Sequence, residues 1–289
     1  MTKIGESELI LNSDGSIFHL HLKPENIADT ILLVGDMERV STISSFFDTI
    51  EFKIQNREFV THTGLYKGKR ITALSTGIGT DNIDIVINEL DSLVNIDLQN
   101  RIPFATHKTL NFIRIGTSGS LQPEIEIETP VISEVSGGLD GLLNFYADRN
   151  NVCDLNLEYH FKENVGWDAN LASPYFVEAD IELLNKFSTI KHTRGITLSA
   201  PGFYGPQGRV VRLPIIDAQI NEKLQYFRFQ NKKITNYEME SSAIYGLSKL
   251  LGHKALTICL IIANRNAKKF SKNYKPAMQK LIEEVLNTI

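Results

Sequence analysis

The chain has 289 residues, 42% of them hydrophobic and 22% charged, with 30 basic against 34 acidic side chains and a formal charge of −4. That is enough apolar material for a substantial core, and it excludes a nucleic-acid or membrane-surface binder built on a strong charge imbalance. The length fits one or two domains; no boundary is visible, and residues 1–289 are taken as a single domain.

The N-terminus is polar, carries acids and has no apolar stretch suited to a signal peptide or membrane span, so a cytoplasmic protein is expected. His19 and His21 could be read as a metal pair on one strand face, but no third ligand is spaced to join them, and no metal site is expected there. Strand-like runs lie near 30–35, 57–64, 69–75, 111–116, 129–135, 193–199 and 254–263. Ile31 to Val34 runs into Gly35-Asp36-Met37-Glu38-Arg39, and Ile71 to Leu74 runs into Ser75-Thr76-Gly77-Ile78-Gly79. Asn82 stands where a third glycine would complete a dinucleotide fingerprint, so Gly77 and Gly79 mark either a helix start that approaches an anion or an ordinary tight turn.

After Gly79 the stripe Ile83, Val86, Ile87, Leu90, Leu93 and Val94 predicts a helix. Ile113-Arg114-Ile115 predicts a buried strand that ends in the small-residue loop Gly116-Thr117-Ser118-Gly119-Ser120. Residues 137–176 read as loops and a lid-like excursion. A helix is predicted after Asn236, as N-cap, through Leu251 to a stop at Gly252, and a last helix over 274–288. The two cysteines, Cys153 and Cys259, are too few for a disulfide scaffold or zinc site and indicate reduced thiols, Cys259 in a buried strand. Alternating strands and helices predict an α/β layered fold around a parallel or mixed sheet.

Within that frame a few residues carry chemistry. An arginine inside an apolar strand must be paired or face a polar cavity, and the guanidinium of Arg114 suits phosphate oxygens; pairing for packing alone serves it equally well. Arg39 follows another strand end, where ligands of open α/β sheets collect, although a solvated helix residue is the plainer reading. Glu238 and Glu240 either favour the macrodipole of a helix start or accept hydrogen bonds from a vicinal diol, with Met239 against a sugar face. Gln207 with Arg209 fits a planar imide such as uracil, with Phe203 stacked on the ring, unless the turn simply meets water.

Taken in order, Phe18-His19-Leu20, Gly35-Asp36 with Arg39, Arg57-Glu58-Phe59, Ser75 to Gly79 with Glu89-Leu90, Arg114 to Thr117, Gln207 with Arg209, and Asn236 to Ser241 resemble the hexameric nucleoside phosphorylase family, uridine phosphorylase branch. The resemblance covers nearly the whole chain. It implies a single three-layer α/β/α domain with a mixed, partly barrel-like central sheet. It also implies a pentosyltransferase that uses phosphate to cleave uridine into uracil and ribose 1-phosphate, in dimers with shared sites that often form hexamers.

By the same resemblance, Gly35, Arg39, Arg114 and Thr117 hold phosphate, joined by Arg57 of a neighbouring copy. Met239, Glu240 and the nearby Glu238 hold ribose, with His19 of the neighbour on the 5′-hydroxyl. Phe203, Gln207 and Arg209 hold the base, and Arg114, Arg209 and Glu240 carry catalysis. No organic cofactor or metal is implied, apart from a monovalent cation that some relatives bind near the positions of Glu58 and Ile78. Purine-cleaving relatives carry an aspartate where this chain has Ala263, followed by Asn264-Arg265, which favours a pyrimidine. The chain departs from the family in Met37, where a proline is common, and in Thr80-Asp81-Asn82, where Asn82 replaces a serine ligand of the cation. Alternatives are a purine nucleoside phosphorylase, a nucleosidase that uses water, and a nucleoside-binding relative without activity.

Overall fold

The apolar run Thr30–Val34 forms the first strand, β1, and Ile31 to Val34 are fully buried. The computed structural model describes residues 3–289. Asp36 caps helix α1 (Met37–Ser44) by accepting the Glu38 N–H. Strands β2 (Thr49–Asn56), β3 (Phe59–Tyr66) and β4 (Lys69–Ser75) form an antiparallel meander, and α2 (Thr80–Asn95) follows. A short ribbon of β5 (Ile96–Asp97) and β6 (Ile102–Pro103) leads to β7 (Asn111–Ser120) and β8 (Pro130–Gly138). Next come α3 (Leu155–Val165), β9 (Tyr175–Glu178), α4 (Ile181–Phe187), β10 (Thr193–Ser199) and α5 (Ile220–Tyr226). The chain ends with β11 (Arg228–Phe229), β12 (Lys232–Glu238), α6 (Ser241–Leu250), β13 (Lys254–Asn264), β14 (Lys269–Phe270) and α7 (Lys275–Thr288).

Twelve strands join one mixed sheet. β4, β1, β7 and β13 are parallel neighbours. β13 pairs antiparallel with β8, and β8, β10 and β12 run parallel. β12 then returns to β7 through Asn236 opposite Ser120 and Tyr237 opposite Gly119. β7, β13, β8, β10 and β12 thus close a ring, the partly barrel-like sheet that the sequence resemblance implied. The α2 stripe faces inward as predicted, with Ile83, Val86, Ile87 and Leu90 fully buried. None of the helices among the described residues is long and apolar enough to cross a membrane.

Three local expectations are corrected. Gly116 to Ser120 is not a loop: β7 runs on through it, paired with Cys259 to Asn264 of β13. The helix predicted after Asn236 starts later, at Ser241. Asn236 and Tyr237 are strand residues because β10 and β7 flank them, and the Asn236 side-chain oxygen accepts from the Thr197 and Thr235 hydroxyls instead of capping a helix. Residues 137–176 are not mainly loop: α3 lies there, capped by the Asp154 side chain and ended by Gly166 at φ 66°. Its Leu157, Phe161 and Val165 recur at helical spacing and pack with Phe176, Leu198 and Tyr237 in a second core cluster. The edge strand β2, exposed on alternate residues, was absent from the predicted set.

Candidate active site

Arg114 sits in the middle of β7 with its side chain 5% exposed, where an uncompensated charge would be costly. Its Nη2 donates to Glu240 and lies 3.4 Å from Glu238, and its Nη1 donates to the Cys259 sulfur at 3.3 Å. Burial lowers its pKa, but the two glutamates outweigh that and raise it, so the guanidinium stays charged. Burial also pushes the Glu240 carboxyl up, Arg114 pulls it down, and Glu238 adds to the rise.

Arg39, in the first turn of α1, is buried and donates through Nη1 to the Ile115 carbonyl at 3.2 Å. Burial lowers its pKa, Asp36 opposes this, and the nearby Arg114 charge lowers it further. Both guanidinium groups are buried and the Arg114 charge bears on Arg39, so an anion placed beside the two would be stabilised. Gly35, at the end of β1, and Thr117, on β7, are both half-buried and flank these arginines along adjacent strands.

Glu240 Oε1 accepts the Gly79 N–H at 2.9 Å. Gly77 and Gly79 have φ of 70° and 99°, conformations that favour glycine, and they let the β4–α2 loop approach that carboxylate. Glu238 is more heavily used within the fold. Its carboxylate accepts from the hydroxyls of Ser199 and Ser241 and from the N–H groups of Glu240 and Ser241, and the Ser242 N–H donates to Ser199 Oγ, so the first donors at the start of α6 are satisfied. Met239 lies half-buried between the two glutamates.

A second group gathers at the loop after β10. Gln207 is 3% exposed, and its Oε1 accepts from Arg209 at 2.8 Å and from Arg265 at 2.7 Å. Two guanidinium donors on one oxygen fix the orientation of the amide and leave its NH2 as the free donor. The Arg209 guanidinium stacks 3.7 Å from the centroid of Phe203, and Arg265 lies 5.1 Å from that of Tyr237. The Tyr237 hydroxyl and Arg265 Nε are buried and have no partner among the described residues. Burial and Arg209 hold Arg265 down at about 10.

Arg265 enters the sequence reading only as a neighbour of Ala263, with no role, although its place after the apolar strand β13 is the signal that singled out Arg39. A cavity of about 1280 Å³ adjoins this group, between 166–172 and 204–223, with Trp167, Leu171, Val211 and Leu213 in its walls and Arg209 at its edge.

His19 and Arg57 form a separate cluster. His19 Nδ1 lies 2.6 Å from Glu89, whose carboxylate also accepts the His19 and Leu20 N–H groups, and Asn56 donates to the His19 carbonyl. Arg57 sits exposed at φ 53° in the β2–β3 turn, 5.7 Å from the Phe18 ring. Among the described residues no hydrogen bond or ion pair joins either residue to Arg39, Arg114 or Glu240. Glu58 is half-buried next to Gly77, and Ile78 is 66% exposed.

The chain is similar to the uridine phosphorylase of Thermococcus kodakarensis, 32% identical over 273 residues, which is 93% of this chain and 85% of that protein. It is 26% identical to the DeoD-type purine nucleoside phosphorylase of Listeria welshimeri, over 84% of this chain and 85% of that one. Among solved structures, a Trypanosoma brucei nucleoside phosphorylase described as showing uridine phosphorylase activity superimposes with a TM-score of 0.87 at 28% identity, covering 97% of this chain and 98% of that one. The sequence profile of the phosphorylase superfamily matches residues 29–287, and the chain belongs to that family of enzymes.

Proposed function

We propose that this enzyme cleaves a pyrimidine nucleoside with inorganic phosphate, converting uridine to uracil and ribose 1-phosphate. The observation that carries the base preference is the Gln207 amide, buried and clamped by Arg209 and Arg265, which offers donors to the carbonyl edge of a planar imide. Ala263 supports it, because no acid stands there to protonate a purine. Arg39 and Arg114, with Gly35 and Thr117, hold phosphate; Glu240 and Met239 hold ribose, and Glu238 fixes the turn that presents them.

Phosphate attacks the anomeric carbon as the base departs, and positive charge builds on the sugar between two anions. Guanidinium groups set around phosphate fix its approach, and the bound anion then stabilises the sugar cation. Arg209 and Arg265, through Gln207 and directly, disperse charge on the leaving uracil.

His19 and Arg57 lie close to one another, joined through Phe18 and Asn56, and the neighbouring-copy roles that the family resemblance gives them make a dimer with shared sites part of the reading. A monovalent cation, where bound, would lie near Glu58 and Ile78, and no step depends on it. The protein acts in the cytoplasm as a single domain without an organic cofactor. The test is cleavage of uridine, thymidine, inosine and adenosine with and without phosphate, with sugar phosphate quantified. Phosphate-dependent turnover of uridine is expected. Equal rates in both buffers would identify a nucleosidase, a preference for inosine would move the enzyme to purines, and binding without turnover would make it an inactive relative.

A further inference from the structure

Two carboxylates are not all that holds Arg114 in place. Cys259, on β13, lies directly opposite Gly116 of β7. Arg114 and Gly116 are two apart in one strand and face the same side of the sheet. A Cβ at position 116 would overlap the Arg114 guanidinium and come within 3.0 Å of the Cys259 sulfur. The arginine therefore lies along the strand, over a glycine that leaves it room, until Nη1 reaches the sulfur at 3.3 Å.

The chemistry of that third contact differs from the other two. Glu238 and Glu240 already set two acids against one guanidinium, and a third carboxylate would compete directly with an incoming anion. A thiol is a weak acceptor. Burial pushes the Cys259 thiol up to about 12, so it takes one N–H of Arg114 without neutralising it.

We propose that Cys259 and Gly116 are positioning residues of the phosphate subsite: together they lay the Arg114 guanidinium along β7 and anchor Nη1 on an uncharged sulfur, so that its remaining donors face the anion shared with Arg39. The proposal rests on the phosphorolytic reading above and adds to it the residues that set the geometry of Arg114.

The test compares full-length wild type with Cys259→Ala, Cys259→Ser and Gly116→Ala. KM for phosphate and KM for uridine are measured separately, and binding of inorganic phosphate is measured by calorimetry. Cys259→Ala is expected to raise the KM and Kd for phosphate about tenfold, the scale of one hydrogen bond to a charged group, with uridine KM moved less than about twofold. Cys259→Ser, which keeps an uncharged acceptor, should recover most of the loss, and Gly116→Ala should reproduce the loss by displacing the guanidinium. Phosphate constants within about twofold of wild type in Cys259→Ala overturn the proposal and leave phosphorolysis standing. An equal rise in both KM values that serine does not relieve also overturns it, as the sign of a disturbed core. Should Cys259→Ala fail to fold, an unchanged phosphate KM in Gly116→Ala decides against it. A wild type that neither binds phosphate nor needs it removes the phosphorolytic reading and this proposal together.

Discussion

Glu240 and Gly79 meet through a hydrogen bond of 2.9 Å, in which the carboxylate that faces Arg114 also accepts the glycine N–H at the threshold of α2. One acid therefore ties the starts of α2 and α6 to the middle of β7. The proposed ribose and phosphate subsites share that group, so a change at Glu240 should register in both.

Burial and Glu238 hold the Glu240 carboxyl above its ordinary value of 4.5, against the opposing pull of Arg114. Protonation removes the charge that pairs with Arg114, so kcat/KM for uridine should fall on the acid side at a pH above 4.5. Glu240→Gln should lose that limb and run about 100-fold slower at neutral pH. Stability has the opposite sign. A folded pKa raised above the unfolded one gives a contribution that is complete below the unfolded value and declines as pH rises through the folded one. The Tm of Glu240→Gln relative to wild type should therefore improve as pH rises, and thermal melts across a pH series would show a decline instead if this assignment were wrong.

Gln207 separates two like charges as well as offering an amide to the base. Gln207→Ala should reduce kcat/KM for uridine about 100-fold, as expected when buried polar groups lose their hydrogen-bonding partner. Any residual inosine turnover should change by less than about threefold, because a purine does not use the imide edge. Steady-state kinetics on both nucleosides test this, and equal losses would place Gln207 outside the base site.

Phe161 packs in α3 against Trp167, Phe176 and Phe227, with ring centroids 5.1 to 5.6 Å apart. Phe161→Ala should cost about 3–5 kcal/mol of stability, the range for deleting a buried aromatic ring. Urea denaturation measures it, and a loss under about 1 kcal/mol would mean that the cluster repacks freely.

Much of the frame was legible because burial leaves a periodic mark. Ile83, Val86, Ile87 and Leu90 announce α2, and the apolar runs of β1, β7 and β13 announce buried strands. Arg114 could be singled out because a guanidinium inside such a run demands a partner. The misplaced elements are those whose state depends on distant chain. Asn236 is a good cap in isolation, but two strands that flank it make it a ladder residue. Gly116 to Ser120 reads as a turn until β13 lies beside it, and the glycine then serves to admit an arginine side chain. Arg265 also follows an apolar strand, but its role becomes visible only when Gln207, 58 residues away in the chain, lies against it.

The closed ring of strands also sets an order of events during synthesis. Arg114 leaves the ribosome with β7, and Glu240 follows 126 residues later. β13, which lies between β7 and β8, is made later still. A guanidinium cannot be desolvated without its counter-charges, so the nascent amino-terminal half has to keep this strand hydrated and open. Completion of the barrel, burial of the arginine and assembly of the anion site then coincide near the end of translation, and a truncated product would lack all three.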